Sequence, residues 1–297
     1  MSDKWRYLKE RVCSAEMFAA FSVMNEAIGE DEAPNTIYQN ILPQDAVPLG
    51  PFTDPEKEID IEYCERNNIE WKFRAVAGGG PIWLGPGQNW TGLFAHRRHP
   101  EIPSSLEQLF EKYLSAIAGA LNRRLGLEAR YKPVNDVEIK DKGGVWRKVG
   151  LCGAQASPKA ISIYTAVQVK PLPRDKMSKA IVPPPEKFAD KEVTSVAERT
   201  TWVERELRAE LSVEEMETIL RETVAAAFNI ELTPGELTEG ELMYRREATN
   251  TLTSKERVLA RTEASKFGVI PPGVKKTNFF TSPSFVDKSK ITLLVDP

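Results

Sequence analysis

Histidine and cysteine are scarce in this chain. Its 297 residues include two histidines, His96 and His99, and three cysteines, Cys13, Cys64 and Cys152. The cysteines form no CxxC pair and no metal-finger spacing, and an odd, sparse set does not build a disulfide framework. We therefore expect free thiols in a reducing, cytoplasmic compartment and chemistry that depends little on histidine.

The chain also lacks long apolar runs and any surplus of positive charge. No run approaches the roughly 18 residues needed to cross a membrane, and the N-terminal residues MSDKW lead straight into charged sequence, without a signal peptide. Forty Lys and Arg stand against 43 Asp and Glu, a formal net charge of −3. General nucleic-acid binding requires a strong basic surplus, so we expect neither a nucleic-acid nor a membrane partner. P-loop and Rossmann glycine patterns are absent as well.

The residues that are present predict a globular domain of mixed structure. Hydrophobic residues make up 41% of the chain, which is ample for a core. Helical spacing of apolar residues predicts helices over residues 14–28, 104–125, 212–228 and 238–251. The last three begin with the capping pairs Ser104–Glu107, Ser212–Glu215 and Thr238–Glu241. Alternation predicts strands at 36–41, around 47, at 69–76, as a hairpin across 131–151, and at 161–169. This order favours an α+β domain whose mixed, mostly antiparallel sheet is flanked by helices.

A glycine-rich loop is the first candidate site. Gly78, Gly79 and Gly80 follow the alternating segment that carries Arg74. Glycines leave their N–H groups open to an anion because no side chain blocks the approach, and Arg74 would add positive charge. Taken alone, the pattern favours a tight turn.

The second candidate site lies in the hairpin. Asn135 and Asp136 precede the turn and Lys148 follows it, so all three can lie on neighbouring strands. Such a carboxylate and lysine form either a surface ion pair or a site in which the lysine contacts an acyl carbonyl or phosphate. Cys152 comes shortly afterwards in a run of small residues, where it is either a buried hydrophobe or a nucleophile.

The order of these features resembles the catalytic domain of lipoate–protein ligases, the family shared with biotin ligases and octanoyl transferases. The residues that carry the resemblance, between about positions 14 and 250, are Arg74 to Gly80, Asn135-Asp136, Lys148 and Thr194-Ser195-Val196. It implies a biotin/lipoate ligase-like fold over residues 1–253. An extended C-terminal tail, 254–297, would follow, with no separate accessory domain.

The resemblance also implies an activity. A member of this family activates lipoate or a related carboxylic acid with ATP and Mg²⁺ as an acyl-adenylate, then transfers the acyl group to a lysine of a lipoyl-carrier protein. Lys148 would be the catalytic residue. The residues that would bind substrate and nucleotide are Arg74, Gly78, Gly79, Gly80, Asn135 and Asp136, and Asp136 would also hold Mg²⁺. Split forms of the family take their accessory domain from a second protein, so an accessory subunit is a further expected partner.

The chain departs from the family pattern at several positions. Ala75 replaces an arginine, Ala77 a hydroxyl residue and Leu84 a histidine, and one extra residue separates Lys148 from the following Gly-Ala pair. Two alternatives therefore stay open. One is an octanoyl or lipoyl transferase that uses a preformed acyl donor, with Cys152 as nucleophile. The other is a non-catalytic binding protein on the same fold.

Overall fold

A mixed β-sheet forms the centre of the computed structural model, which describes residues 4–50, 53–75, 81–182 and 199–259 and the backbone of 279–280. Its strands in these ranges are β1 (Lys4–Glu10), β2 (Thr36–Asn40), β3 (Gln88–His96), β4 (Ala129–Lys132), β5 (Asp136–Lys140), β6 (Trp146–Ala156), β7 (Ala160–Gln168), β8 (Glu231–Pro234) and β9 (Phe279–Phe280). The order across the sheet is β4-β5-β6-β7-β3-β2-β1-β8, with β9 beside β6. The pairs β1–β2, β1–β8 and β6–β9 are parallel and the others antiparallel. The predicted mixed, mostly antiparallel sheet is confirmed.

Helices cover both faces of this sheet. They are α1 (Ser14–Gly29), α2 (Pro55–Glu58), α3 (Ile61–Arg66), α4 (Leu106–Leu125), α5 (Arg174–Ala180), α6 (Val203–Leu207), α7 (Val213–Ala227), α8 (Glu239–Thr253) and α9 (Lys255–Leu259). One core lies between the sheet and α4 and α7, and a second, rich in aromatic rings, lies between the sheet and α1 and α8. We call these two sides the α4/α7 face and the α1/α8 face.

The capping chemistry of the long helices largely follows the sequence. The capping boxes at Ser212 and Thr238 both form, each with the glutamate three residues later. The predicted pair at the start of α4 is wrong by one residue, because the Ser105 hydroxyl, not that of Ser104, accepts the Gln108 N–H at 3.2 Å. Gly126 ends α4 with a positive φ of 65°, a conformation that glycine adopts without steric cost.

The expected strand at 69–76 is only partly regular. Its alternate residues are buried as predicted: Ile69, Trp71, Phe73 and Ala75. Its pairing is nevertheless limited to isolated bridges, from Glu70 to Ala46 and from Arg74 to Leu49. The expected strand around residue 47 likewise shows only isolated bridges, at Ala46 and Leu49. Residue 76 lies outside the described ranges. This segment therefore behaves as a buried, irregular connection.

The residues after the expected domain boundary at 253 begin with a helix. Helix α9 spans Lys255–Leu259, and Val258 is buried against the fold. Farther on, the described dipeptide of β9 pairs with Ala154 and Gln155 at the end of β6. None of the helices in the described ranges has both the length and the apolar character that a membrane span requires.

Candidate active site

The hairpin of β5 and β6 brings the predicted site residues together. Lys148 lies directly across from Glu138, and its ammonium pairs with Oδ1 of Asp136. Asn135 lies beside this pair and donates from Nδ2 to the Cys152 carbonyl at 2.8 Å. Lys148 is about one quarter exposed, so its charge can reach a bound molecule.

A β-bulge decides which face of the sheet carries Lys148. Val137 and Glu138 are consecutive in β5, yet they pair with Gly150 and Lys148, which leaves Val149 as an extra residue in β6. Val149 is buried in the α4/α7 core. Successive residues of a regular strand point to opposite faces, so Lys148 and Gly150, two positions apart, would otherwise share a face. The bulge instead places Lys148 on the face of Asp136.

This bulge also accounts for one departure from the family pattern. The sequence has one residue too many between Lys148 and the Gly153-Ala154 pair. The unpaired residue of β6 lies within this interval, and the lysine remains opposite β5. The insertion is therefore absorbed locally and does not displace Lys148 from the site.

Arg199 is a site residue that sequence reasoning missed. Its Nη2 lies 3.2 Å from Oδ2 of Asp136, so that carboxylate has two cationic partners. The chain re-enters the described ranges here, and Thr201 donates its N–H to the Lys148 carbonyl at 2.8 Å. Arg199 lies 51 residues after Lys148 in a Glu- and Arg-rich stretch that reads as solvated helix surface, and no local signal distinguishes it.

A second charged cluster adjoins the first and was also missed. Glu138 is buried, and its carboxylate is bonded by Arg130 at 2.7 Å and by Lys132 at 3.1 Å. Register places Glu138 opposite Lys148. The alternation of Arg130 and Lys132 in β4 was too short to indicate a site.

Cys152 lies in an unfavourable place for a nucleophile. Its side chain is buried in the α4/α7 core, on the face opposite to Lys148. Burial raises the pKa of this thiol well above its usual value, and the nearby positive charge of Lys148 only partly offsets the effect. Because the thiolate is the reactive form, this geometry argues against the predicted nucleophilic role.

The Arg74 side chain has a structural role, because it binds main-chain carbonyls. Its buried guanidinium donates to the carbonyls of Gly50 at 2.8 Å, Thr53 at 3.0 Å, Arg257 at 3.0 Å and Val258 at 2.9 Å. These bonds join Gly50 and Thr53 to the C-terminal half of α9. The prediction that Arg74 binds the nucleotide therefore finds no support, since at least four of its donor bonds end on the main chain.

Two further departures from the family pattern lie in a core of the protein. Ala75 and Leu84, which stand for an arginine and a histidine, are both buried in the α1/α8 core. A charged side chain would be costly in either place. Gly78, Gly79 and Gly80, like Ala77 and Thr194-Ser195-Val196, lie outside the described residues.

The donor set around Asp136 does not suit Mg²⁺. Both oxygens of Asp136 face cations, Lys148 and Arg199, and Mg²⁺ requires several oxygen ligands in octahedral arrangement. Within the described ranges no three His, Cys, Asp or Glu side chains come close enough to hold a metal. We therefore do not assign a magnesium ion to Asp136.

One cavity of about 540 Å³ lies at the neighbouring strand ends. It is bordered by Gln88 at the start of β3, by Gln168 and Lys170 at the end of β7, and by Ser212 before α7. Lys148, Asn135 and Asp136 do not line it. The hairpin site therefore lies outside the lining of this cavity.

Two curated relatives resemble this chain in sequence. Lipoate-protein ligase A subunit 1 of Thermoplasma acidophilum is 26% identical over 217 residues, which cover 71% of this chain and 79% of the relative. Octanoyltransferase LipM of Brevibacillus brevis is 22% identical over 271 residues, which cover 84% of this chain and 96% of the relative.

Solved structures share the fold. A bi-partite lipoate protein ligase from T. acidophilum, described together with its E2 lipoyl domain, superposes with a TM-score of 0.71 at 24% identity, covering 88% of this chain and 98% of its own. A lipoate-protein ligase A bound with ATP gives a TM-score of 0.69 at 19% identity, covering 88% of this chain and all of its own.

The chain also matches a protein family as a whole. Residues 15–225 match the lipoyl protein ligase A/B catalytic domain, and this range contains Asn135, Asp136 and Lys148. The sequence order of the motifs, the architecture of the sheet and this match agree. The chain belongs to the lipoyl protein ligase A/B catalytic domain family.

Proposed function

We propose that this protein activates lipoate or a related carboxylic acid as an acyl-adenylate and transfers the acyl group to a lysine of a lipoyl-carrier protein. The observation that carries the proposal is the Lys148 ammonium, held on Asp136 beside Asn135 at the position that the family pattern assigns to its lysine. Structural relatives described with ATP and with a lipoyl domain support the same reaction.

The reaction has two steps. In the first, a carboxylate oxygen of the acid attacks the α-phosphorus of ATP, and pyrophosphate leaves. In the second, the neutral ε-amine of the carrier lysine attacks the acyl carbonyl, an amide bond forms, AMP leaves and the amine loses a proton. Negative charge develops on phosphate oxygen in the first step and on the carbonyl oxygen in the second. A fixed cation stabilises both transition states.

Lys148 is suited to supply this charge. Its side chain is partly exposed, and its partner Asp136 has a second cation in Arg199. When Lys148 turns to a ligand oxygen, Arg199 still neutralises Asp136. Moving the ammonium therefore does not leave an unpaired carboxylate, which would be costly in this sheltered position.

A transferase is the second candidate, since one relative is named an octanoyltransferase. It would take the acyl group from a preformed donor and would not need ATP. The buried thiol of Cys152, with its raised pKa, does not support the version in which Cys152 is the nucleophile. A non-catalytic binding protein is the remaining alternative.

Intact-mass spectrometry of a carrier separates these functions. An apo lipoyl domain is incubated with the protein, Mg·ATP and lipoate, with octanoate and biotin in parallel, each with and without ATP, and with octanoyl-carrier as a preformed donor. We expect an ATP-dependent mass gain from lipoate or octanoate. A gain from the preformed donor alone would establish the transferase, and no gain from any donor would favour the binding protein.

An accessory protein belongs in the same experiment. One relative is named as a subunit and one similar structure is described as bi-partite. Should ATP and lipoate give no mass gain, we infer that adenylation by this chain requires a second subunit, while transfer from an adenylate does not. Synthetic lipoyl-adenylate added in place of ATP tests this, because it should acylate the carrier even where ATP and lipoate do not.

A further inference from the structure

The outer surface of β4, β5 and β6 carries an unusual density of positive charge. Strand pairing puts five of its side chains on the α1/α8 face, which we call the cationic face: Arg130, Lys132, Lys140, Trp146 and Lys148. Helices α1 and α8 pack over other parts of the sheet, and no helix in the described ranges covers this one. The four cations of this face are each between one quarter and one half exposed.

The carboxylates of this region do not balance its cations. Glu138 is shared by Arg130 and Lys132, and Asp136 is shared by Lys148 and Arg199. These six groups therefore leave two positive charges in excess, although the whole chain carries −3. The other cation of the face, Lys140, is matched by Glu128 at 3.0 Å. A local surplus on an acidic protein attracts an acidic partner.

The shape of the face indicates a macromolecule. Three strands about 4.8 Å apart form an open sheet surface, whereas small ligands occupy concave clefts. The Arg130 guanidinium lies 4.0 Å from the ring centre of Trp146. Aromatic and arginine side chains are typical of protein interfaces. Val134 and Val145, in the two hairpin turns, add exposed apolar surface at its ends.

We propose that the cationic face is the docking surface for an acidic carrier protein whose lysine receives the acyl group. Lys148 belongs both to this face and to the reaction site, so a partner seated here has its acceptor lysine beside the reacting carbonyl. Acidic residues around that lysine would neutralise Arg130 and Lys132. The inference rests on the proposed function and adds where and by what charge the carrier binds.

A double variant tests the docking surface. Arg130→Gln with Lys132→Gln removes two charges and leaves amide donors for Glu138, while Arg98→Gln with Lys159→Gln removes two charges from exposed pairs with Asp31 and Glu30. Each protein is assayed with synthetic lipoyl-adenylate and increasing concentrations of an apo lipoyl domain of net negative charge. Direct binding of that domain is measured by calorimetry, and melting temperatures verify folding. Lys140→Gln provides a single, milder change should the double variant fail to fold.

The expected result is specific to the carrier. The double variant should raise the KM for the lipoyl domain, and its Kd, about three- to thirty-fold, with kcat little changed. The control should change neither. The KM of the unmodified protein should also rise with salt, and the double variant should lose most of this dependence.

Other results would overturn the inference. Equal effects of the control would assign the change to net charge, and a raised KM for lipoyl-adenylate with an unchanged carrier Kd would assign the face to the nucleotide. A lipoyl domain that does not bind the unmodified protein would also exclude this partner. If only the proposed function is wrong, the lipoyl domain would still bind through the cationic face, but it would not be acylated from any donor. The two failures therefore give different results.

Discussion

The two cations on Asp136, Lys148 and Arg199, allow the fold to remain stable when Lys148 is replaced. The lysine is partly exposed, and Arg199 remains on Asp136 when the lysine is removed. Partly exposed ion pairs contribute about 1 kcal/mol or less to stability. A catalytic role and a structural role for Lys148 can therefore be separated.

Lys148→Ala should lower acyl transfer about 100- to 1000-fold, since it removes the charge that we propose stabilises the developing oxyanion. Its melting temperature should fall by no more than about 4 °C. Intact-mass assays and thermal denaturation measure the two effects. Lys159→Ala, at an exposed pair far from the hairpin, serves as control. An active Lys148→Ala protein with normal melting would remove Lys148 from the mechanism.

Cys152→Ala should retain acyl transfer within about three-fold, because the thiol lies in the α4/α7 core and has a raised pKa. Loss of the buried sulfur should lower the free energy of unfolding by about 1 kcal/mol. Initial rates and urea denaturation check both values. Loss of transfer in a folded Cys152→Ala protein would restore the nucleophile hypothesis.

Strand β6 shows how one element can compensate for an inserted residue. A slip of one residue turns every following side chain to the other face of a sheet. The bulge at Val149 confines that slip to one position, so Gly150 still pairs with Val137 and Lys148 with Glu138. Val149 itself packs into the core.

Deletion of Val149 should therefore leave Lys148 opposite Glu138 in a regular ladder and should preserve acyl transfer within about ten-fold. The buried side chain would be lost, at a cost of about 1–3 kcal/mol in the free energy of unfolding. Transfer assays on the deletion protein and on Val149→Ala provide the comparison. If β6 instead paired regularly through Val149, deletion would turn Lys148 into the core face and abolish transfer while Val149→Ala stayed active.

At the scale of the whole molecule, Arg74 joins the segment 255–259 to the rest of the fold. Two of its acceptors, the carbonyls of Arg257 and Val258, lie beyond the boundary expected at residue 253. Val258 is itself buried. The segment 255–259 therefore supplies hydrogen-bond acceptors to the buried guanidinium of Arg74, which lies 183 residues before Arg257 in the chain.

Truncation after Thr253 should destabilise the protein by about 3 kcal/mol or more, since it removes two charge-assisted hydrogen bonds and the buried valine. Truncation after Leu259 keeps both and is the matched control. Urea denaturation compares the two proteins, with extrapolated free energies of unfolding as the readout. Equal stability of both would show that Arg74 gains nothing from α9.

Much of this architecture could be predicted from local patterns. Capping boxes at Ser212 and Thr238 and the apolar stripe of α4 depend on residues three or four positions apart, so their signals are contained in short stretches of sequence. The start of α4 was misplaced because Ser104 and Ser105 offer the same hydroxyl one residue apart. The segment at 69–76 has the alternation of a strand, but its irregular pairing depends on distant partners at Ala46 and Leu49.

The sequence by itself determined the long helices, the family and the placement of Lys148 and Asp136 on neighbouring strands, because a hairpin joins residues that are near in the chain. Only the tertiary structure decided the neighbours of these groups. It brought Arg199 to Asp136, joined Arg74 to α9, buried Cys152 and turned Lys148 to the Asp136 face. Each of these depends on strand register or on contacts across large sequence separations, which carry no local periodicity.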